Sequence, residues 1–251
     1  MRSWKWAIGA VLMVCASGLV RAAIDPDLVV GAWLLNDGDG VDVVDISANG
    51  RIGQLQGGDW VDGEFDGAIE FAKGDTVEIP LPAESIQDKL TVMMWVQFTD
   101  IAGQQNYFAI WDGGDQRIVP YKTDGQILHL WSNSWNVPSG FLVDENTWYH
   151  VANVLDGSNV RIYVDGQLQV EQAAAGMSLG AGAQSAWIAT DKGGWHTACI
   201  VDDVLLLNDA IDAKTVSDAM ANGVEFVLGL KAVGARGKAA TTWAAIRESR
   251  D

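Results

Sequence analysis

The chain has 251 residues and a formal net charge of −17 at pH 7, from 33 Asp and Glu against 16 Lys and Arg. So acidic a molecule repels phosphate backbones and anionic membranes, which argues against nucleic acid as a partner. Two cysteines are too few for a disulfide framework, and the length suits one large domain with a substantial core.

Residues 1–22 read as a secretory signal peptide. Arg2 and Lys5 precede a mainly apolar run from Ala7 to Val20, and Val20-Arg21-Ala22 supplies a cleavage site. That run is short for a membrane span, so no membrane insertion is expected once it is removed. Val14 before Cys15 is not the small residue of a lipoprotein site. Export leaves residues 23–251 with Cys199 as a lone thiol, and raises the charge imbalance to −20.

From Val29 onward short β-rich runs follow one another, punctuated by Gly, Asp and Asn. They are Val29–Leu35, Ile52–Leu55, Gly67–Phe71, Thr76–Pro80, Leu90–Phe98 and Tyr107–Trp111, then Arg117–Tyr121, Ile127–Trp131, Trp148–Leu155, Val160–Val164, Ala186–Ala189 and Cys199–Leu207. Regular turn spacing without helical periodicity predicts two packed antiparallel sheets. Val160, Ile162 and Val164 alternate with more polar neighbours, and Asp156-Gly157 and Asp165-Gly166 supply the positive φ that tight hairpin turns demand. Ala213–Asn222 is predicted as a helix capped by Asp212 and ended by Gly223, with Val216, Ala219 and Met220 on one face. Residues 23–228 form one domain in this reading, and 229–251 a C-terminal tail with helical character.

Five segments carry a family resemblance. Trp148-Tyr-His-Val-Ala with Val160-Arg-Ile-Tyr-Val-Asp-Gly166 is the most specific, joined by Ala32–Gly40 with Asp45–Gly50, by Asp62–Phe71, by Leu90–Val96 and by Val201-Asp-Asp-Val204. In this order they resemble the laminin G-like (concanavalin A-like) jelly-roll family, with Ala48 and Asp66 standing where that family commonly has Gly. The resemblance implies an all-β, two-sheet jelly-roll sandwich. It also implies a structural Ca²⁺ held by Asp45 and Asp202 with nearby carbonyls, and with Asp37 and Asn49 as second-choice ligands; the alternative is that Asp45 and Asn49 form Asx turns.

For the binding face the tryptophans divide. Trp33, Trp95 and Trp148 lie in strand patterns and are read as core. Trp131, Asn133 and Trp135 in Leu130-Trp-Ser-Asn-Ser-Trp135, and Trp195 in Lys192-Gly-Gly-Trp-His196, sit among polar and flexible neighbours. Aromatic rings beside amides suit sugars, the ring stacking on an apolar sugar face and the amide bonding hydroxyls; burial of Trp131 and Trp135 at the sandwich edge is the competing reading. Tyr107, Trp111 and Tyr121 are candidates to extend that face.

Catalysis has weaker support. Glu64, Asp66 and Glu70 superficially resemble the acidic strand of laminarinase-type glycoside hydrolases, but the spacing is one residue too long and Gly67 interrupts the acidic face. His129, His150 and His196 show no metal-ligand or triad spacing, and His150 reads as a strand residue. The sequence therefore predicts a secreted or cell-surface, non-catalytic module that binds an extracellular glycan or glycoprotein. A hydrolase and a protein-binding adhesion module are the alternatives.

Overall fold

The computed structural model describes residues 24–111, 116–123, 127–132, 135–174, 182–191 and 194–231. The expected signal peptide, Asn133 and the tail beyond Lys231 lie outside them.

After a single 3-10 turn at Pro26–Leu28, the described chain is a run of strands. It begins with β1 (Val29–Trp33), β2 (Asp42–Val43), β3 (Gly53–Gln56), β4 (Asp59–Asp62), β5 (Gly67–Phe71), β6 (Thr76–Pro80) and β7 (Leu90–Phe98). The middle holds β8 (Gln105–Asn106), β9 (Phe108–Trp111), β10 (Gln116–Lys122), β11 (Ile127–Ser132) and β12 (Trp135–Leu142). Next come β13 (Trp148–Leu155), β14 (Asn159–Val164), β15 (Gln167–Ala173), β16 (Ser185–Ile188) and β17 (Cys199–Leu207), before helices α1 (Ala213–Asn222) and α2 (Val224–Val227).

Two antiparallel sheets result. One runs β15-β14-β13-β7-β17-β5-β4 with β1 also on β17, and the other runs β12-β11-β10-β9-β16-β6-β3-β2 with β8 on β10. Their facing side chains make the core: Val92, Met94, Val96 and Phe98 of β7 meet the layer of Phe108, Ile110, Leu128, Leu130 and Ile188. Strand β7 is apolar almost throughout because its other face is covered too. Met93, Ala152, Leu205 and Leu207 pack under Val216, Ala219, Val224 and Val227 of the two helices, so alternation gives way to a continuous hydrophobic run.

The predicted punctuation forms as read. Asp165 and Gly166 have φ of 49° and 72°, the two positive values of a two-residue hairpin turn, between Val164 and its partner Gln167. Asp212 accepts a hydrogen bond from the Thr215 amide at 2.7 Å and starts α1, and Gly223 (φ 86°) ends it. Strands β2, β4, β8, β12 and β15 and helix α2 are additions to the predicted elements. Strands β12 and β15 lie at sheet edges, where Pro138 needs no ladder bond and the exposed Gln167–Ala173 needs no apolar alternation. Cys199 is buried as a free thiol, and burial pushes its pKa up.

Candidate functional site

The outer face of the nine-stranded sheet carries the candidate site, and strand register builds it. Residues directly opposite on paired strands project from the same face. Tyr121 pairs with Asn106 of β8 on one side and His129 of β11 on the other, and Val119 pairs with Trp131, which pairs with Asn136 of β12. Two cross-strand rows therefore lie side by side: Asn106–Tyr121–His129 and Val119–Trp131–Asn136.

A loop closes the third side. The Asn106 amide donates to the Trp195 carbonyl (2.9 Å), and the Thr197 hydroxyl donates to the Asn106 carbonyl (2.7 Å), so the segment after Asp191 is tied to β8. Asn106, Tyr121, Trp131, Asn136, Asp191 and Trp195 thus surround a groove of about 290 Å³, with Gln104 at its rim and Val119 within it. That is near the lower end of the range for small-ligand sites.

Its polar groups are held by one another. Asn136 Nδ2 donates to the Tyr121 hydroxyl (2.8 Å), and Asn136 Oδ1 lies 3.1 Å from His129 Nδ1. The Tyr121 and His129 rings stack with centroids 4.7 Å apart. Burial raises the Tyr121 pKa, against the lowering effect of Asn136, and burial lowers that of His129. At neutral pH both are therefore uncharged. On the far side Asn106 Nδ2 donates to Asp191 Oδ2 (2.7 Å), and the Trp195 amide donates to Asp191 Oδ1 (3.3 Å). Trp195 is 51% exposed while Trp131 is half-buried.

The sequence-predicted residues fare differently. Trp131 and Trp195, 64 positions apart in the chain, come together in the groove. Trp135 opens β12 next to them, paired with Ser132, and its side chain lies outside the described residues, as does Asn133. Tyr121 extends the face as expected. Tyr107 does not, because it is fully buried between the sheets against Phe98, and Trp111 packs on the same outer face beside Trp187. Asn106, Asn136 and Asp191 went unrecognised, since single polar residues in short strands and loops carry no spacing signal.

The expected calcium ligands do not converge. Asp45 Oδ1 accepts from the Ala32 and Ser47 amides (both 2.9 Å) and Oδ2 from the Arg51 amide (2.8 Å). Asn49 Nδ2 donates to the Val29 carbonyl (2.6 Å), and the Arg51 guanidinium donates to that of Val30, so this loop is stitched to β1. Asp37 accepts from the Val44 amide (3.2 Å) near the surface. Asp45 bridges to Trp33 of β1, whose other edge pairs with Val204 of β17, which sets Asp45 and β17 about 10 Å apart, two strand spacings.

Asp202 sits elsewhere, fully buried beneath the β4–β5 turn. Its Oδ2 accepts from the Phe65 amide (2.7 Å), and its Oδ1 has no hydrogen-bond partner. Burial, with the charge of Asp203 adding to it, raises the Asp202 pKa to about 8. Among the described residues no three His, Cys, Asp or Glu side chains group as a metal site. Asp202 alone of the four offers an unused buried oxygen.

The acidic segment Glu64–Glu70 belongs to the other sheet. Glu70 lies in β5, paired with Ile200 of β17, and the Glu64 backbone amide donates to Asp202. No helix among the described residues is long and apolar enough to cross a membrane.

Comparison with curated proteins yields no match. Among solved structures the chain is similar to domain 4 of AbnA, a GH43 extracellular arabinanase from Geobacillus stearothermophilus, in complex with arabinotriose. The identity is 16% and the TM-score 0.63, over 76% of this chain and 97% of that one. It is also similar to the receptor binding domain of botulinum neurotoxin mosaic serotype C/D (10%, TM-score 0.61, 78% of this chain and 51% of that). Trypanosoma rangeli sialidase in complex with sialic acid is a third (14%, TM-score 0.64, 79% and 33%). The chain thus spans about half of the toxin domain and a third of the sialidase, and at these identities the likeness is one of fold. A family model described as the concanavalin A-like lectin/glucanases superfamily matches residues 71–217, from the end of β5 through the groove strands into α1. With more than half of its length so matched, the chain belongs to the concanavalin A-like lectin/glucanases superfamily, in its laminin G-like branch.

Proposed function

We propose that the protein is an exported, non-catalytic module that binds an extracellular glycan, free or on a glycoprotein, in the Trp131–Trp195 groove. One observation carries this: two tryptophans from distant segments line one groove with a phenol and three carboxamides. Flat apolar faces with hydroxyl-bonding groups between them suit sugar rings. Against hydrolysis, Asp191 is the single carboxylate among the described groove residues, whereas glycoside hydrolases need a pair flanking the scissile bond. The arabinanase domain, matched over 97% of its length and in complex with arabinotriose, is consistent with this reading.

A glycan array on the purified protein, followed by titration of the best hit, tests the reading. Trp195→Ala should lower affinity about 5- to 150-fold, the loss of about 1–3 kcal/mol from a stacked ring, at an unchanged melting temperature. Trp131→Ala should lower affinity likewise, with some loss of stability because the ring is half-buried. Mutants that keep full affinity would sink the groove, and release of reducing sugar by wild type would replace binding with catalysis.

A structural Ca²⁺ is a separate part of the proposal, and it rests on Asp202. Its unpartnered buried oxygen is of the kind a hard cation takes, whereas the oxygens of Asp45 are already engaged by amides.

A further inference from the structure

The groove has a polarity that the glycan reading alone does not contain. Asp191 is fully buried, and a carboxylate can only accept, so the Asn106 carboxamide must turn its NH₂ toward Asp191 Oδ2. Its other end is thereby fixed. Asn106 Oδ1 is left as a pure acceptor, in a residue 2% exposed, lining the groove and without a hydrogen-bond partner. A buried acceptor left unpaired is costly, and a ligand that donates to it recovers that cost.

Among the described lining residues the only formal charge, that of Asp191, has the same sign. No described residue lining the groove is cationic. The lysine on β10, Lys122, is fully buried with its ammonium donating to the carbonyls of Ile101 (2.7 Å) and Gly103 (2.8 Å), so it is committed to shaping the loop below Gln104. A ligand carboxylate or sulfate would meet the Asn106 acceptor backed by the Asp191 charge, in a chain of net charge −17. Sugar hydroxyls instead donate to Asn106 Oδ1 and accept from Tyr121, whose hydroxyl accepts from Asn136 and keeps its own proton.

Resting on the glycan reading, we infer that the groove selects neutral, hydroxyl-donating glycans and rejects anionic ones, with Asn106 the specificity-determining contact and Asp191 the residue that orients it.

The test is an array on which each oligosaccharide appears in neutral form and with sialic acid, uronate or sulfate added. Neutral members should bind, and their acidic counterparts should bind at least about tenfold more weakly at low salt. Asp191→Asn lets residue 191 donate as well as accept, releases the Asn106 orientation and should shrink that gap to about threefold or less. Because Asp191 is buried, Gln104→Lys at the exposed rim provides an arm that leaves the interior intact; it should raise affinity for the acidic members. Acidic members bound as tightly as neutral ones by wild type, or a gap unmoved by both variants, would overturn the inference and leave the glycan reading standing. Binding of no carbohydrate at all would overturn the glycan reading and this inference with it.

Discussion

Two buried polar side chains, Asp45 and His150, serve the fold and take no part in the groove. Asp45 receives three backbone amides, and removing it strands all three inside the fold. Asp45→Ala should cost about 3 kcal/mol, lowering the melting temperature by roughly 6–12 °C, equally in Ca²⁺ and in EDTA. A loss confined to the Ca²⁺ form would instead make Asp45 a ligand. His150 is buried beside Trp95, their centroids 5.4 Å apart, and burial depresses its pKa to about 3. Above about pH 6.5 the imidazole is neutral in both the folded and unfolded chain. Below it the unfolded chain takes a proton that the fold resists, so this residue's share of stability erodes as pH falls from 6.5 toward 3. Compared with His150→Gln, wild type should lose about 2 kcal/mol more between pH 7 and pH 5, read from urea midpoints; parallel pH profiles would refute the assignment.

At the scale of elements, the β14–β15 hairpin and α1 depend on each other. Gly166 sits at φ 72°, and a Cβ there would meet the Ser217 hydroxyl at 3.1 Å and the Met220 sulfur at 3.5 Å on α1. Gly166→Ala therefore combines left-handed strain with crowding and should cost about 1–3 kcal/mol. Gly38→Ala, at φ 79° with open space around it, bears the strain alone and should cost less. Equal costs in thermal melts would show that contact with α1 contributes nothing. These elements were legible because their signals are local: Asp-Gly turns, the Asp212 cap and period-2 alternation need no knowledge of distant neighbours. Strand β12 was not, since Pro138, Ser139 and Gly140 read as loop and only its edge position permits a strand there.

On the scale of the whole molecule, a bound cation would tie β17 to the turn above it. If Ca²⁺ binds at Asp202, EDTA should lower the melting temperature and added Ca²⁺ restore it, because a metal held by the fold alone stabilises by mass action. Asp202→Asn should abolish that response while Asp45→Ala keeps it. Identical melting with and without millimolar Ca²⁺ would remove the ion from the proposal.

The sequence by itself determined the two-sheet sandwich, the α1 helix and the aromatic character of the candidate groove, because alternation, turn chemistry and ring type are properties of a few adjacent residues. Tertiary structure alone decided which residues meet. Register across β8, β10, β11 and β12 brings Asn106, Tyr121, Trp131 and Asn136 to one face, and the loop bonds at Asn106 bring Asp191 and Trp195 to join them. The same long-range pairing sets Asp45 apart from β17, across β1. Strand order and register arise from packing the whole core at once, and no local stretch of sequence encodes them.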